Sequence, residues 1–258
     1  MVDFTRPVTH TGYKNAEKLK KHYHRVYKQI SEHPGALRID IIDVDKADYT
    51  KEWYADDNFF NMPTAGTITP LWVGGVSYLV ASIFIIGYVK DGTLKPFEIF
   101  LFVLSSLLAI FFTIYYFTKP KKERILNRKD GLITMTGVLW QKNITIPFKE
   151  CLFVYSTGGE DGTGAYNLEA MRPSKSKFGT FADFNMGKEH CYQAISLVTW
   201  YMDKNRPLPP GRVFDACRDR DYERRKAAGF PRPLYPSSIA TPEATKEQQA
   251  ERKRIGGW

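Results

Sequence analysis

Catalysis or ligand capture by this 258-residue chain would need nucleophiles, acids, imidazoles or a phosphate cradle at set spacings, and each candidate set falls short. The glycine-rich stretch Gly158-Gly-Glu-Asp-Gly-Thr-Gly164 carries two acids and runs into a strand pattern. A phosphate cradle needs amides converging on a helix start, usually beside Lys and Ser or Thr, so this stretch reads as a hairpin tip. His22, His24 and His33 are not four apart, the spacing that sets two imidazoles on one helix face, and no metal site is expected. Asp40, Asp43, Asp45, Asp48, Asp56 and Asp57 lack the glycine turn and closing Glu of a calcium loop and read as a solvated linker. Cys151, Cys191 and Cys217 are odd in number and widely spaced, forming neither a disulfide framework nor a zinc pattern, which suits a reducing compartment. No Ser/His/Asp or Cys/His set has a recognisable spacing, so the chain is expected to be non-enzymatic and without a cofactor.

Charge carries more information. Lys and Arg number 37 against 28 Asp and Glu, a net charge of +9, which suits an anionic partner. Two basic stretches stand beside apolar sequence or between strands: Lys119, Lys121, Lys122 and Arg124, then Arg172, Lys175 and Lys177. These are the candidate phospholipid-headgroup residues, each such charge being worth about 1 kcal/mol at an anionic leaflet. The later run Arg218, Asp219, Arg220, Asp221, Glu223, Arg224, Arg225 alternates in sign and largely cancels, a poor stripe for nucleic acid.

The elements that would position these residues begin with two apolar runs, Ile68 to Val89 and Ile99 to Thr118, each at least 20 residues without a charge. That length spans a hydrocarbon core of about 30 Å as a helix. Trp72 and Tyr88 stand at interfacial-belt positions. Gly74, Ser77 and Ala81 on the first run, and Ser105, Ala109 and Thr113 on the second, set small residues along one face of each helix. Small residues allow close backbone approach where apolar burial no longer drives association, so these faces are expected to pack within the hairpin or, alternatively, in a homodimer. Lys119, Lys121, Lys122, Arg124, Arg128 and Lys129 follow the second run, against two lysines in the short connecting loop. The positive-inside rule then predicts both termini in the cytoplasm. The N-terminus lacks the order of a cleaved leader, so the first span is expected to be its own insertion signal.

Residues 1–66 read as an N-terminal cytoplasmic arm. It holds a basic amphipathic helix from Lys14 to Ile30, with Leu19, Tyr23, Val26 and Ile30 at helical spacing, and a short strand from Leu37 to Val44. After the hairpin at 67–118, residues 119–205 change to period two. Arg124 to Arg128 faces Leu132 to Thr136 across Lys129-Asp-Gly131, a strong hairpin signal. Val138–Trp140, Ile144–Phe148, Cys151–Tyr155, Tyr166–Met171 and Phe178–Phe184 continue the strand series, and an amphipathic helix from Lys188 to Met202 closes it. Residues 206–258 form a charged, Pro-containing arm that reads as wrapping or partner-binding structure, with a helix starting at Thr241.

Ile125-Leu-Asn-Arg-Lys-Asp-Gly131 and Ile146-Pro-Phe-Lys-Glu-Cys-Leu-Phe153, following a two-helix hairpin and a basic exit, resemble bacterial membrane proteins with a cytoplasmic PH-like domain. The resemblance covers residues 68 to 203. It implies an α+β membrane protein, a transmembrane hairpin followed by an antiparallel PH-like β-domain closed by one C-terminal helix. Asn205-Arg-Pro-Leu-Pro-Pro-Gly211, Phe214-Asp-Ala-Cys-Arg-Asp-Arg-Asp221 and Thr241-Pro-Glu-Ala resemble proteobacterial membrane proteins associated with type VI secretion effector loci. That likeness implies an inner-membrane immunity or accessory factor with a protein partner, a secreted effector or a secretion-system component. The alternative is a module that recognises anionic membrane lipids.

Overall fold

The computed structural model describes residues 2–14, 26–30, 54–62, 64, 69–156, 167–173, 181–183, 191–235, 237 and 240–258. The chain divides into two compact units. One is drawn from Met1–Pro63, Glu123–Thr136 and Asn143–Trp258, the other from Thr64–Lys122 and Gly137–Lys142.

The first unit holds an antiparallel, open five-stranded sheet in the order β2 (Tyr54–Ala55), β3 (Phe59–Met62), β4 (Arg124–Asn127), β5 (Leu132–Met135), β6 (Ile144–Pro147). Its register runs Phe60 to Leu126, Leu126 to Ile133 and Ile133 to Ile146, which sets four large apolar side chains in one cross-strand row. All four are buried. Each such side chain contributes about 1.5–3 kcal/mol on leaving water, so this row is the backbone of the core. The β4–β5 turn closes as its sequence predicts: Gly131 takes φ 68, and Asn127 and Asp130 bond each other side chain to side chain at 2.8 Å.

A second antiparallel sheet has the order β1 (Val26–Ile30), β7 (Phe153–Ser156), β8 (Asn167–Met171), β9 (Phe181–Asp183). Val26–Ile30 is therefore a strand, paired with β7, and not the end of an amphipathic helix. Val26, Tyr27 and Ile30 are strand formers that gain a ladder there, which helical periodicity alone does not register. The remainder of that expected helix, residues 15–25, and the expected strand from Leu37 to Val44 lie outside the described residues. Val138–Trp140 is likewise no strand: it belongs to a turn, and the partner of β5 is β6.

α3 (Cys191–Met202) buries Ile195, Val198, Tyr201 and Met202 in the same core as Phe60 and Leu126. The Tyr201 ring lies 5.5 Å from Phe60 and stacks at 5.7 Å on Phe214, and its hydroxyl donates to the Asp56 carbonyl at 3.0 Å. This is not the last helix. α4 (Asp215–Ala227) and α5 (Lys246–Gly256) follow, the latter capped by Thr245, whose side chain accepts from Gln248 N–H, and not by Thr241. The N-terminal stretch is also part of the unit. Thr9 N–H donates to Thr145 O at 2.9 Å, the Tyr13 hydroxyl to Met171 O at 2.6 Å, and Arg6 pairs with Glu123.

The second unit contains α1 (Thr69–Asp91) and α2 (Pro96–Thr118), each of 23 residues. At 1.5 Å per residue each is about 35 Å long, and both are apolar enough to cross a membrane. Beyond Pro70 in the first turn of α1, their buried residues are small: Gly74, Ser77 and Ala81 on α1, Ser105 and Ala109 on α2, while Trp72, Leu79, Ile86 and Phe117 stand exposed. The Ser77 and Thr113 hydroxyls are absorbed by carbonyls one turn back, at 2.7 and 2.8 Å, and the Tyr78 and Thr113 hydroxyls meet at 3.0 Å. The small faces thus lie within the hairpin.

Candidate functional site

The exit of α2 gathers the basic and aromatic residues that bear on ligand chemistry. Lys119 Nζ lies 5.2 Å from the centre of the Tyr116 ring, a cation–π arrangement, and Lys121 is exposed. Lys122 points elsewhere. Its ammonium donates to the carbonyls of Gly137 and Gln141 at 2.9 and 2.7 Å, clasping the connection between β5 and β6.

That connection carries Trp140, which sequence periodicity assigned to a strand. Its ring meets Phe111 edge-on at 5.6 Å and Tyr115 at 5.1 Å, and its indole N–H donates to Thr118 Oγ1 at 2.7 Å.

Two other headgroup candidates lie inside the first unit. Arg124 is buried in β4. Arg172 is buried too, and it donates to the Thr136 carbonyl and, at 3.1 Å, to the Thr136 hydroxyl. Burial, helped by the nearby charge of Arg124, pushes the Arg172 guanidinium down to about 10. Both positions correct the assignment to headgroup contact: Arg124 is buried in its strand and Arg172 is committed to Thr136, so neither guanidinium is presented to a phosphate. Lys175, Lys177 and the Gly158–Gly164 stretch lie outside the described residues.

Asp56 and Asp57 of the expected solvated linker are drawn indoors, where Asp57 meets the cancelling arm in an internal ion network, while Asp40, Asp43, Asp45 and Asp48 lie outside the described residues. Asp56 accepts from the Asn58 and Phe59 amides, both at 2.7 Å, and Asp57 pairs with Arg220 at 2.9 Å; both carboxylates are buried. Arg128, 1% exposed, pairs with Asp221 and donates to the Arg206 carbonyl at 2.6 Å. Asp221 also accepts from Arg225, which forks onto Glu243, and Glu243 holds Arg252 at 3.1 Å. The Arg252 guanidinium lies 4.1 Å from the Trp258 ring centre. Removing one member of such a set strands its partner's charge, so the network holds α4 and α5 in place. The sign alternation that makes this arm a poor nucleic-acid stripe is what lets its charges neutralise one another indoors.

Among the described residues no three His, Cys, Asp or Glu side chains are grouped to hold a metal ion. The arrangement at the α2 exit offers cations, aromatic rings and apolar surface, groups that can bind and orient a ligand. Comparison with family models, with curated proteins and with solved structures finds no match to this chain.

Proposed function

We propose that the chain is an integral inner-membrane protein whose α1 and α2 form a transmembrane hairpin and whose β-rich unit, a PH-like domain on the cytoplasmic side, binds a protein partner without catalysing a reaction. Its role in this reading is that of an immunity or accessory factor of a secretion system. The membrane assignment is supported by the exposed apolar residues of two 23-residue helices and by the lysines that follow α2. Pairing of Met62 with Arg124 supports an even number of crossings, because strands that share a ladder lie on one side of a bilayer.

The observation that favours protein over lipid as the ligand is the fate of the basic residues. Arg124 and Arg172 are buried and Lys122 is bound to carbonyls, so a headgroup site would have to be built from fewer cations than the sequence suggests. The test is affinity capture of the full-length chain from detergent-solubilised native membranes, read by mass spectrometry. A stoichiometric secreted effector or secretion-system component supports the reading. Co-purification of one anionic phospholipid class and no protein overturns it in favour of lipid recognition, and extraction by alkaline carbonate would remove the transmembrane assignment itself.

A further inference from the structure

The connection Gly137–Lys142 is built as a rigid tip. Gln141 N–H donates to the Val138 carbonyl at 2.7 Å, leaving Leu139 and Trp140 as the two central residues of a tight turn. Lys122 clamps the carbonyls of Gly137 and Gln141. A Cβ on Gly137 would stand 2.2 Å from the Lys142 carbonyl oxygen, so glycine is required where the turn closes. Leu139 takes φ 42, a region that side-chain-bearing residues rarely occupy. Strain of this kind persists only where the surroundings hold it, and it gathers at functional positions.

The composition of the tip is wrong for water. Turn tips in water take Gly, Asn or Asp, whereas this one shows Leu139 at 46% and Trp140 at 43% exposure. Trp140 rests on Phe111 and Tyr115 and bonds Thr118, the last residue of α2. Phe111 and Thr118 are two turns apart, about 10 Å along the axis, so the indole lies beside the final two turns of that helix.

We propose that this turn is a third membrane-contacting element, which sets Leu139 and the outer edge of Trp140 into the headgroup–acyl boundary of the leaflet from which α2 emerges. The inference rests on the reading that α1 and α2 span a bilayer. An indole with a hydrogen-bonded N–H and an apolar body suits that boundary, and Lys119 and Lys121 closely follow Thr118, the residue the indole bonds, where they would meet anionic headgroups. Exposed Leu139 gains from a non-aqueous phase and from nothing in water.

The experiment places nitroxide labels on the full chain in nanodiscs containing phosphatidylglycerol, after Cys191→Ser and Cys217→Ser, and compares collision with oxygen and with a nickel chelate. Leu139→Cys and, separately, Trp140→Cys are read against Leu79→Cys in α1 and Lys129→Cys on the exposed β4–β5 turn. Both tip labels are expected to show an oxygen-to-nickel ratio several-fold above that of position 129. A nickel-accessible tip beside a lipid-buried position 79 overturns the proposal and leaves the transmembrane reading standing. Nickel access at 79 as well overturns both. Tip labels shielded from both reagents would mean a protein surface covers the turn, which also overturns it.

Discussion

Arg225 and Glu243 form a two-pronged ion pair, with Nη1 to Oε1 at 2.6 Å and Nη2 to Oε2 at 2.7 Å, and neither side chain reaches solvent. Glu243 also faces Arg252, so Glu243→Ala leaves two buried guanidinium groups without their shared counter-charge. A loss of about 3–5 kcal/mol is expected, the usual consequence of breaking a buried pair from one side. Urea unfolding of the detergent-solubilised chain, followed by tryptophan fluorescence, measures it. Lys226→Ala, at a solvent-facing pair with Glu251, should barely move the midpoint.

Asp221 gives the pH dependence of the same network. Burial pushes its carboxyl up, but Arg128 and Arg225 outweigh burial and hold it below the ordinary value of 3.8. A depressed carboxyl contributes stability that is complete above its unfolded value and is lost as pH falls through its folded one. The thermal midpoint should therefore hold near neutrality and drop below about pH 4. Asp221→Asn should start lower and show a shallower acid limb in the same melts.

Cys151 is expected to be chemically silent. Burial pushes its thiol up to about 12, and the thiolate is the reactive form. Iodoacetamide at pH 8 should leave the Cys151 peptide unmodified in the folded chain and alkylate it after urea unfolding, as peptide mass spectrometry would record.

Gly74 controls the approach of α1 to α2. A methyl group there would stand 3.4 Å from Phe112 Cβ, within ordinary contact, so Gly74→Ala should be tolerated. Gly74→Leu overfills the seam and should cost about 1–3 kcal/mol of helix association. Cross-linking between cysteines at Tyr78 and Thr113, whose hydroxyls meet at 3.0 Å, should fall sharply for the Leu variant and stay high for the Ala variant.

The parts of the structure visible in the sequence are those with local causes. Unbroken apolar length gives α1 and α2, and Asp130-Gly131 between alternating runs gives the β4–β5 turn. Long-range pairing has no such signature: nothing in Phe59–Met62 announces that it pairs with Arg124–Asn127 beyond the whole hairpin. Polar burial is hidden for a different reason. In α4 the buried residues Cys217, Asp221, Tyr222 and Arg225 follow helical spacing, but two are charged, so a search for apolar periodicity passes over them. Trp140 was obscured because Val138-Leu-Trp140 looks like strand sequence, while Gly137 and the clasp of Lys122 make it a turn.

The ladder between Met62 and Arg124 makes the two helices an excursion within a β-hairpin. During biosynthesis of a chain inserted as proposed, β3 leaves the ribosome first and waits until both helices and then β4 have followed. A chain with one helix across the bilayer would hold β3 and β4 on opposite sides of a barrier of about 30 Å, and no ladder could form. Phe60 and Leu126 would then stay uncovered, a mark for proteolysis. In a chain inserted as proposed, closure of the sheet thus proofreads topology, because a chain left with a single crossing cannot complete its ladder.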